Sequence, residues 1–189
     1  MSQKWLNMDG ALMDILTVFT YDYSRQRYAI DIARKKGLPQ RTVSRKLNQA
    51  QEKGLLKYTR EGRNKMYFLD LNNPLARHLL VMLESYKALQ FFSANPKTAL
   101  YLERFSQGKI IFGSYARGKK GEDLDVVFLG GKAELGAAPV SVHPQYSTIR
   151  ELKKKLKQDD ALAWEIADNH ILLSDFDALV RIFMEAYNG

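Results

Sequence analysis

The sequence predicts an α+β fold: a basic helical domain with a β-hairpin, then a long connecting helix, then an α/β domain with a small mixed sheet. Three observations lead to this prediction. Apolar residues repeat at helical spacing over residues 11–55, and two short extended runs follow them. A long apolar segment begins after Asn73-Pro74, and buried-strand patterns appear from Lys109 onwards. We place the predicted boundaries at residues 1–71, 72–95 and 96–189.

Composition excludes several classes of protein. The 189 residues contain no cysteine, which rules out a disulfide framework, a cysteine-ligated zinc finger and a thiol nucleophile. No apolar run approaches the roughly 18 residues that a membrane span needs. The first ten residues have no apolar core of the kind that an export signal needs. We therefore expect a cytoplasmic protein that has no membrane partner.

Charge is distributed unevenly along the chain. Residues 1–70 contain 14 Lys and Arg against 7 Asp and Glu, whereas residues 71–189 contain 15 against 14. The net charges of +7 and +1 add up to the +8 of the whole chain. This division favours a polyanionic partner for the first domain, with a solvated basic face as the alternative.

Three helices are predicted in the basic domain. The first begins at Ala11, the second runs from Tyr28 to Lys36 before Gly37, and the third follows the turn at Pro39 and ends near Gly54. The inward residues of the third helix are Val43, Leu47, Ala50 and Leu55. Its outward residues have guanidinium, ammonium, hydroxyl and amide groups, which contact phosphates and base edges in DNA complexes. They are Arg41, Thr42, Arg45, Lys46, Asn48 and Gln49.

A hairpin is predicted after the third helix. Residues 55–59 and 65–69 form its strands, and residues 60–64, with Gly62 at the tip, form its turn. With this hairpin, residues 28–69 resemble a winged-helix DNA-binding domain of the prokaryotic regulator type. The segments that resemble it are Thr42-Val43-Ser44-Arg45-Lys46-Leu47 and Glu52-Lys53-Gly54-Leu55-Leu56.

The resemblance implies that the third helix enters the major groove of double-stranded DNA, while the hairpin contacts the backbone or the minor groove. RNA is an alternative partner, and some winged helices bind proteins instead. The residues predicted to contact DNA are Arg41, Thr42, Ser44, Arg45, Lys46, Asn48, Gln49, Arg60, Arg63 and Lys65.

A long helix is predicted to connect the two domains. Asn73 and Pro74 form a helix-start pattern, and the apolar spacing continues to about Phe92. Because the segment is apolar on more than one side, it packs either between the domains or against a second copy of the chain. A homodimer through this helix would suit a regulator that binds two half-sites. Residues 93–96 are predicted to break the helix.

Residues 109–129 contain the pattern that is most informative about chemistry. A short buried strand, Lys109 to Phe112, leads into Gly113-Ser114 and a predicted short helix. Backbone N–H groups and a hydroxyl at such a turn can bind an anion such as a triphosphate. In the following strand, a period of two places Asp123 and Asp125 on one face. Paired carboxylates beside phosphates are the oxygen ligands that Mg²⁺ prefers, with Mn²⁺ as an alternative.

This arrangement resembles the minimal nucleotidyltransferase domain of the DNA polymerase β superfamily, over about residues 96–189. The resemblance implies phosphate binding by Gly113 and Ser114 and metal binding by Asp123 and Asp125. Arg117, in Ala116-Arg117-Gly118, matches a pattern common in the small prokaryotic members and is predicted to bind the nucleotide. Ser114, Asp123 and Asp125 are the predicted catalytic residues, and Mg²⁺ with a nucleoside triphosphate is the predicted ligand. The domain order also resembles prokaryotic, chiefly archaeal, fusion proteins of this type.

One departure from the family pattern concerns catalysis. Active members supply a third carboxylate from a following strand, but the strand predicted here, residues 139–143, contains no acid. Glu134 lies in a predicted loop. His143 could replace the missing base, although we expect it to end its strand in a structural role. His78 and His170 have no acidic or histidine partner at ligand spacing, so both are predicted to be structural.

The rest of the chain fits an α/β layer. We predict helices over residues 148–156, with a lysine-rich outer face, and 161–167, then a strand from His170 and a last helix after Asp175.

Two functions follow from these predictions. In the first, the chain is a DNA-binding regulator whose second domain binds a nucleotide and is catalytically weak or inactive. In the second, it is an active Mg²⁺-dependent nucleotidyltransferase that modifies RNA, protein or a small molecule, for example within a toxin–antitoxin system.

Overall fold

The computed structural model describes residues 8–118 and 123–188 and has a mixed α+β architecture. The chain divides into two compact units, one up to Leu83 and the other from Glu84 onwards. None of the described helices is both long and apolar enough to cross a membrane.

The first unit begins with helix α1, Gly10–Leu16, which continues into a 3₁₀ turn, Thr17–Thr20. The Asp9 side chain caps α1 by accepting a hydrogen bond from the Leu12 amide at 2.9 Å. The predicted apolar residues of this segment are all buried, which confirms the predicted inward stripe: Leu12, Ile15, Leu16 and Phe19.

Two further helices follow a short strand, β1, Arg27–Tyr28. Helix α2 is Ala29–Lys36 and helix α3 is Gln40–Glu52. Gly37 ends α2 with a φ of +64°, a conformation that residues with a Cβ seldom adopt. The predicted inward positions Val43, Leu47 and Ala50 of α3 are fully buried, whereas the predicted Leu55 lies beyond the end of the helix and is half-buried.

The hairpin consists of β2, Lys57–Glu61, and β3, Asn64–Phe68. The predicted five-residue turn is wrong, because Arg60 and Asn64 lie in the strands and Arg60 pairs with Lys65. A turn of Gly62 and Arg63 is short enough to keep the pairing to the tip of the hairpin. Strand β1 adds to β3, giving the antiparallel order β1-β3-β2.

Helix α4, Pro74–Ala94, is the predicted connecting helix. The Asn73 side chain accepts a hydrogen bond from the Leu75 amide at 3.0 Å, as expected for a cap before Pro74. The division between the two units falls inside this helix, between Leu83 and Glu84.

The second unit continues with α5, Pro96–Leu102, a helix that the sequence analysis did not predict. Strand β4 is Gly108–Phe112, and the short helix α6 is Gly113–Ala116. Strand β5 is Asp123–Leu129 and strand β6 is Ser141–Ser147. The predicted end of β6 at His143 is wrong, because the strand continues through Pro144. Strand β6 lies at the edge of the sheet, where the missing backbone N–H of a proline is tolerated.

Three helices and a strand complete this unit: α7, Ile149–Lys157; α8, Ala161–Asp168; β7, His170–Leu172; and α9, Phe176–Asn188. Thr148 and Glu151 form a reciprocal capping box at the start of α7.

The sheet of the second unit has the order β6-β5-β4-β7. Strands β5 and β6 are parallel and the other pairs are antiparallel, so the sheet is mixed, as predicted. One face packs against residues of α4 and α5, including Phe91 and Tyr101, through Leu124, Val126 and Phe128. The alternate residues of β5, which include Asp123 and Asp125, point to the opposite face.

Candidate functional site

Four residues form one row across the sheet of the second unit. Asp125 of β5 pairs with His143 of β6 and with Phe112 of β4, and Phe112 pairs with His170 of β7. Directly paired residues point to the same face of a sheet. Asp125 and the two histidines therefore share one face, with the histidines on opposite edge strands.

The two aspartates of β5 lie on this face and are accessible to solvent. The side chain of Asp123 is 49% exposed and that of Asp125 is 31% exposed, whereas Leu124 between them is fully buried. The buried leucine fixes the strand in the sheet and thereby fixes the direction of both carboxylates. This is the alternation that the sequence predicts.

Gly113 brings the chain close to Asp125 at the turn from β4 to α6. Its φ is +68°, and a Cβ at this position would lie 2.3 Å from Asp125 Oδ2. A residue with a side chain would meet both a steric clash and backbone strain here. Ser114, half-buried, follows immediately in α6. The turn predicted to bind phosphate thus lies against one of the predicted metal ligands.

Arg117 lies at the end of α6, where its Nη1 atom is 3.5 Å from Glu165 Oε1 of α8. Both side chains are nearly half exposed. An ion pair with this exposure contributes little to stability. The guanidinium can therefore exchange the carboxylate for a phosphate at small cost.

His143 lies between the two aspartates. Its Nε2 atom is 3.7 Å from Asp123 Oδ1, and its Nδ1 atom is 3.7 Å from Asp125 Oδ1. The sequence predicts a structural residue at a strand end, but in the structure His143 is an exposed imidazole inside β6 that faces both carboxylates. Glu134, the other candidate, is exposed in the irregular segment before β6. The alternation of Val140, Val142 and Pro144 with polar residues was the available signal for the direction of His143.

Metal binding at this site would rest on the two aspartates. Among the described residues, no group of three or more histidine, aspartate and glutamate side chains is arranged to hold a metal ion. Mg²⁺ commonly takes one or two protein carboxylates and completes its coordination with water and phosphate oxygens. Two accessible carboxylates beside the Gly113 turn have the chemistry for this mode of binding.

The other histidine of the row, His170, belongs to a buried cluster of charged residues. Its Nε2 atom is 2.9 Å from Glu84 Oε1, and Lys87 Nζ donates to Glu84 Oε2 at 2.9 Å. Burial alone would raise the pKa of Glu84, but the neighbouring His170 and Lys87 hold it below its usual value. The acidic partner of His170 lies 86 residues away in the sequence, where no local spacing could show it, and the buried, hydrogen-bonded ring fits the structural role predicted for His170.

The first unit presents a basic surface on α3 and the hairpin. Arg41, Arg45, Arg60 and Arg63 are exposed. Lys46, also predicted to contact DNA, is instead largely covered and paired with Asp9. That hydrogen bond lowers the pKa of Asp9. The other predicted DNA contacts on α3 are half-buried: Thr42, Ser44, Asn48 and Gln49.

Asn48 joins α3 to the hairpin. Its Oδ1 atom accepts hydrogen bonds from Lys65 Nζ at 2.8 Å and from the Tyr67 hydroxyl at 2.9 Å. Lys65 Nζ also lies 4.3 Å from the centre of the Tyr58 ring. These contacts, which the sequence analysis did not predict, fix α3 and the hairpin relative to each other. A cleft of about 600 Å³ between α2, α3 and the hairpin is lined in part by Ser44, Asn48, Arg63 and Lys65.

Comparison with known proteins finds no matching family model, no matching curated protein and no matching solved structure.

Proposed function

We propose that the chain is a DNA-binding protein of the transcriptional-regulator type whose second unit binds a nucleoside triphosphate with Mg²⁺. The main support for DNA binding is the attachment of α3 to the hairpin through Asn48 and Lys65, with exposed arginines on both elements. A helix and a hairpin held in fixed relation can contact a groove and the neighbouring backbone together.

In this proposal, Arg41 and Arg45 of α3 contact base edges or phosphates in the major groove, and Arg60 and Arg63 contact the backbone. Asn48 and Lys65 position the hairpin, since the Asn48 oxygen is already occupied by two donors of the same unit. The excess of basic residues before residue 71 supplies the long-range attraction.

The proposal for the second unit rests on the close packing of the Gly113 backbone against the Asp125 carboxylate. The turn from β4 to α6 would bind the triphosphate through its backbone and Ser114, and Arg117 would neutralise further phosphate charge. Asp123 and Asp125 would hold Mg²⁺, which neutralises phosphate charge when bound. Without a third carboxylate, this unit would bind the nucleotide and turn it over weakly or not at all.

The position of His143 favours a second candidate, an active nucleotidyltransferase. In that reaction an acceptor hydroxyl oxygen forms a bond to the α-phosphorus, the bond to the pyrophosphate oxygen breaks, and the hydroxyl proton leaves to a base. General-base assistance of this kind contributes about 10² to 10⁴ in rate. In this candidate, the exposed imidazole of His143, which faces both aspartates, would accept that proton.

A transfer assay with each α-labelled nucleoside triphosphate, Mg²⁺ or Mn²⁺, and cellular RNA and protein as acceptors separates these candidates. Asp123→Asn/Asp125→Asn removes the carboxylates, and Glu52→Gln/Glu103→Gln removes two exposed carboxylates elsewhere as the matched control. Label transferred by the wild type and the control alone would establish the transferase. No transfer, with a nucleotide-induced rise in melting temperature that only the aspartate variant loses, would support nucleotide binding alone. No nucleotide effect in any variant would refute both candidates.

DNA binding is tested with Arg45→Ala and Arg63→Ala, with Arg104→Ala of the second unit as the control. If Arg45 contacts a base, its loss weakens specific binding by about 1 to 3 kcal/mol. If Arg63 contacts phosphate, its loss lowers affinity for all sequences and reduces the salt slope by about one. Unchanged binding by both variants would rule out the proposed interface.

A further inference from the structure

Helix α7 concentrates positive charge in a unit that is otherwise balanced. Residues 84–189 contain 14 Lys and Arg and 14 Asp and Glu, and five of those 14 cations lie within the nine residues of α7. The apolar residues Leu152 and Leu156 are buried and set the inner side of the helix. The exposed cations of α7 are Arg150, Lys154, Lys155 and Lys157.

These exposed cations have no acidic partner among the described residues. Lys153 pairs with Glu185 of α9, and Glu151 is used in the capping box. Arg150, Lys154 and Lys157 are spaced by four and three residues, which places them along one side of the helix. Over that length a helix advances about 10 Å.

Helix stability alone does not account for this pattern. Lysines in the last turn interact favourably with the helix dipole, but Arg150 lies in the first turn, where a cation is unfavourable. Like charges three or four residues apart on a helix also repel each other. A bound polyanion would remove both penalties.

The surface belongs to the same side of the sheet as the aspartates. His170, in the row of Asp125, contacts the carbonyl oxygens of Ile166 and Ala167 in α8 at 2.9 and 3.0 Å, and its ring lies 4.8 Å from that of Phe183 in α9. Helices α8 and α9 therefore cover the β7 side of the face to which Asp125 points, and α7 packs against both of them. Strand β6 ends beside Leu129, at the end of the sheet that is remote from the aspartates, and β7 begins in the row of Asp125. The connection through α7 and α8 therefore returns the chain towards the aspartates.

We propose that α7 binds the phosphate backbone of single-stranded RNA. RNA offers phosphates for the cations and, at every nucleotide, a hydroxyl of the kind that a nucleotidyl group is transferred to. A DNA strand offers such a hydroxyl only at its end. The choice of RNA rests on the second candidate of the proposed function, the active nucleotidyltransferase, whereas the assignment of a polyanion rests only on the charge, pairing and position of α7.

The test uses the full chain carrying Arg41→Gln, Arg45→Gln and Arg63→Gln, so that the exposed arginines of the first unit do not dominate binding. Into this background we introduce Arg150→Gln/Lys154→Gln/Lys157→Gln. The control is Lys97→Gln/Arg104→Gln/Lys132→Gln, which also removes one arginine and two lysines, all exposed in the second unit. Binding of a short labelled single-stranded RNA is followed by anisotropy over a range of KCl concentrations, and melting temperatures verify folding.

We expect the α7 substitutions to weaken RNA binding and to reduce the salt slope by about 2, since each phosphate contact on a single strand contributes about 0.7. The control should bind like its parent. Equal losses in both triple variants, or no loss in the α7 variant, would overturn the proposal. Equally tight α7-dependent binding of DNA with the same sequence would overturn the choice of RNA, and α7-dependent binding of polyglutamate but not RNA would point to an acidic protein.

Asp123→Asn/Asp125→Asn in the same background separates this proposal from the nucleotide site. RNA binding should persist in that variant. If nucleotide never binds to any variant while α7-dependent RNA binding is present, the proposed nucleotide function fails and the RNA surface stands.

Discussion

His143 and His170 occupy the same row of one sheet, on opposite edge strands, and each faces carboxylate. The His143 side chain is 58% exposed and lies 3.7 Å from each of two accessible aspartates. The His170 side chain is fully buried, hydrogen-bonded to Glu84 at 2.9 Å and covered by α8 and α9. The residue type is the same, but the environments are opposite.

The difference shows how burial separates a structural histidine from one available for chemistry. Both ring nitrogens of His170 face acceptors of the same unit, so no position is left for a ligand or an acceptor hydroxyl. The distances around His143 exceed ordinary hydrogen-bond lengths, and its surroundings are open to solvent. The loosely held histidine is therefore the candidate for function and the tightly held one for stability.

The largest expected effect comes from breaking the buried cluster. Glu84→Gln removes the charge that pairs with both His170 and Lys87 and should destabilise the protein by about 3 to 5 kcal/mol. His143→Gln should change the free energy of unfolding by no more than about 0.5 kcal/mol. Urea unfolding at neutral pH measures both values. Comparable losses in the two variants would remove the distinction between the histidines.

A smaller effect is expected where the backbone approaches the accessible aspartate. Gly113→Ala meets Asp125 at 2.3 Å and must also adopt a positive φ. Gly118 has a similar φ of +75° but open space around it, so Gly118→Ala should show only the backbone cost of about 1 to 2 kcal/mol. Because the Asp125 carboxylate must turn away from the added methyl group, we expect Gly113→Ala to lose about 0.5 to 1.5 kcal/mol more than this control.

Thermal unfolding of the two glycine variants, with and without Asp125→Ala, isolates the contact. The additional loss should disappear when the carboxylate is removed. If it persists, the close approach of Gly113 to Asp125 is not its cause.

The pH dependence of stability gives the subtlest comparison. Because His170 and Lys87 hold the pKa of Glu84 below its ordinary value of 4.5, the ionised form stabilises the folded state. This contribution is complete above pH 4.5 and is lost as the pH falls through the lower pKa of the folded protein. Unfolding free energies measured from pH 7 downwards should fall less steeply for Glu84→Gln than for the wild type. Identical slopes would show that Glu84 is not stabilised as an anion.

The sequence predicted the elements whose patterns are local. The alternation in β5 correctly placed Asp123 and Asp125 on one face, and helical spacing identified the buried residues of α3. It did not predict β1 or α5, which are only two and seven residues long. The register of β6 on β5, which brings His143 to the aspartates, depends on pairing between distant segments, and Pro144 wrongly indicated the end of that strand. The contact of Glu84 with His170 likewise depends on tertiary packing, which local sequence patterns do not predict.

Pro144 also bears on how the protein behaves at high concentration. Strand β6, which runs parallel to β5, forms one edge of its sheet. The unpaired backbone groups of an open edge can pair with a strand of another molecule. Pro144 has no N–H to donate to such a strand, and the opposite edge, β7, is only three residues long. The sheet therefore resists growth by edge-to-edge aggregation at either side. The margin of the sheet next to His143 can then stay open to solvent without becoming a site of self-association.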